Sequence, residues 1–453
     1  MPDKRYPLEP LFGKILSPFE RFLHRTTAGG IVLLATTAVA LTLASVFGGE
    51  VFHRFVDHPI GFSAGPERRL ELSLHYWVND ALMALFFLVV GLELKREILV
   101  GELSSLKDAA LPVFAAAGGM VVPALIYHAF NAGSPTAHGW GIPMATDIAF
   151  AVGILVLLAS RVPRNLVVFL TALAIADDLG AVLVIACFYT QALDYGALGS
   201  AAVLFTLLVL LNRGGVRNAL PYVLLAVPFW LAMYHSGVHA TLAGVLLAMT
   251  IPARPADTPA RFERYLKELL DAFRADRRDQ STPDDPLTNR RMAAIAETVE
   301  RASAAVQSPL QRIEHRLAPW VSFLVLPLFA LANAGIDLSA VSWRDALSAR
   351  ITLGVVGGLV VGKFAGISFF SWLAVAVGLA RLPSGVAWRH VLGAAWLGGI
   401  GFTMSLFISQ LAFDDAALVE DAKLGILLGS ATSALAGLAW LYAAGRKIGT
   451  ESA

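Results

Sequence analysis

Long apolar stretches separated by short polar loops run through almost the whole chain. A bilayer core about 30 Å thick needs about 20 apolar residues per helix. About twelve segments meet or approach that length: 29–47, 77–94, 109–130, 143–159, 166–189, 198–211, 220–233, 238–251, 317–334, 353–377, 391–413 and 424–443. The sixth to eighth are short and need shelter inside the protein. The pattern predicts an all-α integral membrane protein. Two regions depart from it. Residues 252–316 are charged and broken by Pro252, Pro255, Pro259, Pro283, Pro286 and Pro309, which predicts an insert rather than a span. Within it Phe262, Tyr265, Leu266, Leu269, Leu270 and Phe273 recur at the three-to-four spacing of one amphipathic helix, a solvated or membrane-surface element. Near residues 60–74, Leu70, Leu72 and Leu74 alternate with Arg69, Glu71 and Ser73 behind Gly65-Pro66, predicting a strand or hairpin outside the membrane.

Composition agrees with this division. Of 453 residues, 57% are hydrophobic and 15% charged, and mean hydropathy is +0.66, far from an average soluble domain. The 35 Lys and Arg nearly balance 34 Asp and Glu, so no charge excess points to a nucleic-acid partner. Placement is more informative. Cytoplasmic loops hold most Lys and Arg, and with both termini inside, 28 of the 35 cations fall on inside segments. Arg54, Arg68, Arg69, Arg344, Arg350 and Lys423 fall in outside loops, and Lys363 falls within a span. The expected organisation is a cytoplasmic N-terminal segment 1–28, spans one to eight over 29–251, a cytoplasmic insert 252–316, spans nine to twelve over 317–444, and a cytoplasmic tail 445–453. The single cysteine, Cys187, excludes an intrachain disulfide. The charged, proline-bearing N-terminus is not a cleavable signal peptide.

Ionisable residues inside spans cost several kcal/mol, so each is a functional candidate. Asp80 and Glu93 lie near span ends, where an interfacial role competes with function. Glu97, beside Lys95 and Arg96, is interfacial, and an ion pair is its simplest role. Asp177-Asp178 sits mid-span. Successive helix positions are about 100° apart, so both carboxylates share a polar cavity only at a common edge. Two adjacent buried carboxylates repel each other and call for a proton or a hard monovalent cation. Asp147, with Thr146, follows Pro143, Lys363 follows a run of glycines, and the eleventh span repeats the theme with Gly398-Gly-Ile-Gly-Phe-Thr-Met-Ser. Proline and glycine make all three spans candidates for unwinding. A carboxylate answers the positive N-terminal ends of half-helices and an ammonium the negative C-terminal ends. The alternative is a direct buried Asp147–Lys363 ion pair. His239, flanked by small residues, suits packing or hydrogen bonding, though histidine also senses pH.

Several strings resemble the NhaA family of bacterial Na+/H+ antiporters: Asn79-Asp-Ala-Leu-Met-Ala-Leu-Phe-Phe, Ala145-Thr-Asp-Ile-Ala-Phe, Ala174-Ile-Ala-Asp-Asp-Leu-Gly-Ala, Ser236-Gly-Val-His-Ala-Thr-Leu-Ala-Gly, Pro327-Leu-Phe-Ala-Leu-Ala-Asn-Ala-Gly and Gly399-Ile-Gly-Phe-Thr-Met-Ser. The resemblance runs from about Thr27 to the last span, omitting most of the insert. It implies a bacterial inner-membrane protein with about twelve spans, two inverted repeats, and broken spans four and eleven crossing near the midplane. The activity it implies is export of Na+, and of Li+, against inward H+, by competition for shared carboxylates under alternating access and pH regulation. The protein is then a transporter rather than an enzyme, with no cofactor and with membrane lipid and a second copy of itself as partners. By the same resemblance Asp177 and Asp178 carry the cation and protons, with Asp178 the principal Na+ ligand, and Asp147 and Thr146 stand at the crossing. Lys363 stabilises that crossing and pairs with Asp177 or exchanges a proton. Glu93, Glu97, Glu314 and His239 match positions tied to pH response, and the hairpin matches the dimer contact. One departure is Ala318, where better-known members carry a second histidine. It bears on pH regulation, as does the insert just before Glu314.

Two other classes fit less well. An intramembrane aspartyl protease needs carboxylates from different helices and a Gly-x-Gly-Asp pattern, whereas Gly399-Ile-Gly is followed by Phe402. A cation channel calls for a ring-forming selectivity segment.

Overall fold

The computed structural model describes residues 28–63, 69–190, 193–278 and 289–445; the expectations for segment 1–27 and tail 446–453 fall outside them. Helix α1 (Ala28–Phe47) and the short α2 (Gly49–Val56) lead into an antiparallel hairpin of β1 (Pro59–Ser63) and β2 (Arg69–Ser73), with Pro59 opposite Ser73 and Ser63 opposite Arg69. Next come α3 (Leu74–Val100), with a π-helical turn at Trp77–Leu82, and α4 (Leu106–Asn131). A 3-10 segment, Pro135–Met144, is separated from α5 (Ile148–Leu157) by extended residues 145–147. Then follow α6 (Arg164–Phe188), α7 (Tyr195–Arg213), α8 (Ala219–His235) and α9 (Leu242–Thr250). The insert forms α10 (Pro259–Arg278) and α11 (Arg290–Val306). The last part holds α12 (Pro309–Asn333), the short α13 (Trp343–Ser348), α14 (Arg350–Ala376), α15 (Trp388–Leu397), α16 (Phe402–Ala412) and α17 (Ala416–Ala444).

Among the described residues nine helical runs are long and apolar enough to cross a membrane, or ten if α15 and α16, bent by 45° at their break, form one span. The chain is therefore a multi-pass integral membrane protein. Of the sequence-predicted segments, the seventh (α8, 17 residues) and eighth (α9, nine residues) fall short of that length. Polar side chains start the helices where the sequence turns. Asp194 accepts from the amides of Gly196 and Ala197 at 2.8 and 3.0 Å, Asn218 caps α8, and Asp415 caps α17, each satisfying amides that a helix start leaves open.

Several sequence expectations are corrected. The tenth span is not unwound: α14 is continuous across Lys363, with only a π-helical turn at Gly357–Gly362. Its glycines serve packing instead. A Cβ on Gly366 would collide with the carbonyl of Gly118 on α4, and one on Gly118 with the carbonyl of Gly366. This is the close backbone approach that small residues permit between membrane helices. Lys423 is not in an outside loop but on α17, only 3% exposed. The ninth apolar segment begins inside the expected insert, because Ser308 caps α12 at the Gln311 amide, 3.1 Å away, with Pro309 at its first position. The insert holds a second helix that the sequence reading missed. α10 and α11 pack on each other, Asn289 donating to Asp276 at 2.6 Å between them. The stem of this hairpin is tied by the amides of Ala256 and Asp257 to the carbonyl of Ala305.

The α4–α14 contact carries a prediction. Gly118→Val forces these backbones apart, and the folded, monodisperse yield in detergent is expected to fall at least several-fold relative to the wild type. Unchanged yield and melting would show that the contact is dispensable.

Candidate functional site

The two breaks in the helices meet each other. The amide of Asp147, in the extended stretch before α5, donates to the carbonyl of Ile400 at 2.6 Å, between α15 and α16. The hydroxyl of Thr146 donates to the carbonyl of Gly398 at 2.8 Å, and Ser405 Oγ to the carbonyl of Ile142 at 2.7 Å. Backbone polar groups freed by the breaks thus find partners in the opposite break, the condition for non-helical backbone at membrane depth.

Asp147 sits between two helix starts. Its Oδ1 accepts from the Phe150 amide at 3.1 Å, capping α5; its Oδ2 accepts from the Thr403 amide at 3.1 Å and the Thr403 hydroxyl at 2.5 Å, at the start of α16. One carboxylate therefore answers two positive helix ends. Asp147 is 2% exposed. Lys363 does not pair with it. The ammonium bonds Asp177 Oδ2 at 2.6 Å and the Thr146 hydroxyl at 3.0 Å, with Lys363, Asp177 and Thr146 all fully buried. Through Thr146 it reaches the carbonyl of Gly398, at the C-terminal end of α15, the end whose partial charge is negative.

The adjacent aspartates separate, as the 100° step along α6 demands. Asp177 turns to Lys363, while Asp178 lines a cavity of about 550 Å³ together with Thr146, Asp147, Thr403, Glu93 and His315. Asp178 is 1% exposed, and its Oδ1 has no hydrogen-bond partner among the described residues; the same holds for Asp177 Oδ1. Buried carboxylate oxygens without donors are costly, and a proton or a hard cation with oxygen preference relieves that cost. Among the described residues, no group of three or more His, Cys, Asp or Glu is arranged to hold a resident metal ion.

The remaining candidates form a second group. Glu93 lines the cavity, whereas Glu314 is turned to Arg96 at 3.0 Å and keeps its buried Oε2 without a partner among the described residues. Arg96 also approaches Glu97 at 3.4 Å, and Glu97 Oε2 accepts from the Glu102 amide at 3.1 Å. Ala318, one turn from His315 on α12, lines the same cavity as Glu93. His239 stands apart from that cavity. Its Nε2 lies 2.5 Å from the carbonyl of Tyr189 at the end of α6. Because a carbonyl only accepts, that nitrogen carries the proton.

Two positions that hold the paired breaks escaped the sequence reading. Thr403 binds Asp147 with both its amide and its hydroxyl; its place in Gly399-Ile-Gly-Phe-Thr, just past a glycine-rich break, was the available signal. Ser430 of α17 offers its hydroxyl to the amides of Gly401 and Phe402 at 3.3 and 3.2 Å, supporting the start of α16. Nothing in a serine within an apolar helix marks it as such.

Known proteins resemble this chain along most of its length. The sequence model described as Na+/H+ antiporter 1 matches residues 20–441. The chain is 64% identical to the Na(+)/H(+) antiporter NhaA of Syntrophobacter fumaroxidans, over 98% of this chain and 93% of that protein. It is 58% identical to the Na(+)/H(+) antiporter NhaA of Acidithiobacillus ferrooxidans, over 96% of this chain and 99% of that one. It is 47% identical to the Na(+)/H(+) antiporter NhaA 1 of Saccharophagus degradans, over 98% and 96%. With that coverage and identity, the chain belongs to the Na+/H+ antiporter 1 family.

Proposed function

We propose that this protein exports Na+ in exchange for inward H+, with the two ions competing for Asp178. The observation that carries the reading is that Asp178 lines a cavity with Asp147 and keeps a buried carboxylate oxygen without a donor among the described residues. A dehydrated Na+ is a hard cation that takes oxygen ligands, and the Thr146 and Thr403 hydroxyls stand beside these carboxylates. When Na+ occupies the site, both carboxylates are ionised; when it leaves, protons replace it, so exchange follows from competition. Li+ has the same chemistry and is a second substrate.

Asp177 and Lys363 form the coupled pair. Their ion pair is intact when Asp177 is ionised, and a proton taken up by Asp177 releases the ammonium. Alternating access is carried at the paired breaks, where polar rather than apolar contacts join the half-helices. We assign pH response to the Glu93, Glu97, Glu314 and His239 positions. Glu93 contributes from within the cavity, Glu314 and Glu97 through Arg96, and His239 through the end of α6. The assembly has about twelve spans in two inverted repeats, with α8 and α9 counted among them. It lies in a bacterial inner membrane with both termini cytoplasmic, as the distribution of Lys and Arg favours, and dimerises through the free strand edges of the β1–β2 hairpin.

The test is fluorescence dequenching in everted vesicles that carry a preset proton gradient, scanning Na+, Li+ and K+ across pH. Dequenching by Na+ and Li+ that rises with pH, with little response to K+, is expected. No cation-dependent dequenching at any pH would overturn the reading.

A further inference from the structure

A second cavity, of about 580 Å³, shares no lining residue with the cavity at Asp178. It runs between α4 and the 3-10 segment and is lined by Met120, Ala124, His128, His138, Trp140 and Met144. Its rim on α4 is apolar and open to the surroundings: Val121 is 48% and Leu125 63% exposed. Both belong to a helix that crosses the membrane, so this mouth faces lipid.

The length and polarity of the groove match one leaflet. His128 lies three residues before the end of α4 at Asn131, at the level where the helix leaves the bilayer. Met120 is two turns deeper, about 12 Å along the axis at 1.5 Å per residue, close to half the thickness of a bilayer core of about 30 Å. The shallow end carries imidazoles, which donate hydrogen bonds to an anionic oxygen in either charge state. Trp140 is a residue type favoured at the membrane interface. The deep end carries only the flexible thioethers of Met120 and Met144, which adapt to an irregular apolar shape.

We infer that this groove holds one acyl chain of a phospholipid, with the phosphate at His128 and His138 and the chain running inward to Met120 and Met144. The deep end adjoins the transport machinery. Met120 packs against Gly180, three residues after Asp177, so closely that a Cβ there would collide with its sulfur. Met144 directly precedes the break at 145–147. An acyl chain in the groove therefore backs Met120, which packs on the aspartate-bearing helix α6, and Met144, which adjoins the break. A bound lipid stabilises the broken segment by mass action.

The experiment uses full-length protein in detergent, titrated with phosphatidylglycerol or phosphatidylethanolamine brominated at mid-chain. Emission from Trp140 is taken as the difference between wild type and Trp140→Phe, and emission from Trp372, 53% exposed on α14, is obtained in the same way as the boundary-lipid control. Expected are quenching of Trp140 at a lipid ratio at least several-fold lower than Trp372, a rise in melting temperature over the same range, and loss of both in Ala124→Phe, whose ring fills the groove. His128→Ala with His138→Ala is expected to weaken the lipid effect while leaving the groove open, and keeps the test valid if Ala124→Phe folds poorly. Stronger action by phosphatidylglycerol or by phosphatidylethanolamine identifies the headgroup. Quenching of Trp140 only in step with Trp372 would reduce the groove to ordinary boundary lipid and overturn the proposal. Burial of Trp140 by self-association without lipid would also overturn it. Neither result bears on Na+/H+ exchange itself, which the vesicle assay reads separately.

Discussion

Asp178→Asn is expected to abolish Na+-dependent dequenching in everted vesicles, down to the signal of vesicles lacking the protein. The amide is close in size to the carboxylate, so folding and the neighbouring Asp177–Lys363 bond at 2.6 Å are preserved. What disappears is the charge. An amide neither balances a monovalent cation nor exchanges a proton near neutral pH, so both halves of the cycle stop together. Asp178 is the member of the pair that lines the cavity, so Na+ binding measured directly should be lost as well. Normal exchange by this variant would remove Asp178 from the mechanism. Exchange lost with Na+ binding retained would instead assign it to proton transfer alone.

Lys363→Ala is expected to act first on stability. Both members of the pair are fully buried, and taking one partner from a buried ion pair costs about 3–5 kcal/mol, because the other is left uncompensated. The truncation also removes the donor to Thr146, whose hydroxyl is in turn bonded to Gly398, so the join between the breaks loosens too. In a chain of this size the melting midpoint should fall by roughly 3–5 °C. The preference among Na+, Li+ and K+ should change far less, because the Asp178 cavity keeps its lining. An unchanged melting curve would count against the structural role. A double variant, Lys363→Ala with Asp177→Asn, should recover part of the loss, since the uncompensated charge is then gone.

How much of this was legible beforehand depends on the kind of signal. The buried aspartates were visible because a carboxylate in an apolar run has a large energetic cost and few explanations. The breaks at Pro143 and at Gly398–Gly401 were visible as helix-breaking residues beside polar ones. The same logic misread α14, where glycines before Lys363 looked like a third break. Sequence alone does not separate a glycine that loosens a helix from one that lets another backbone approach, as Gly366 lets Gly118. The partner of Lys363 was also left open between Asp147 and Asp177, because it depends on which of two adjacent residues faces α14, an azimuth that no local pattern sets. Lys423 was misplaced for a related reason: a cation at the edge of an apolar segment reads as loop, yet the cap at Asp415 starts α17 two turns earlier. The second helix of the insert, α11, carries mostly alanine and charge, yet Met292, Ile295, Val299 and Val306 recur at helical spacing, a signal the sequence reading overlooked.

Asp147 joins two half-helices through a single carboxylate, which makes it a clasp, and in the proposed exchange it is a ligand as well. Three donors from Phe150 and Thr403 already use most of its acceptor sites, so in the proposed exchange a cation or proton that reaches it draws on the same charge that holds the fastening. Under that proposal, loading the site and slackening the joint between α5 and α16 are one event rather than two in sequence. The proposed exchange then needs no separate signal from an occupied site to a hinge, because the ion would be read by the same atoms that join the half-helices.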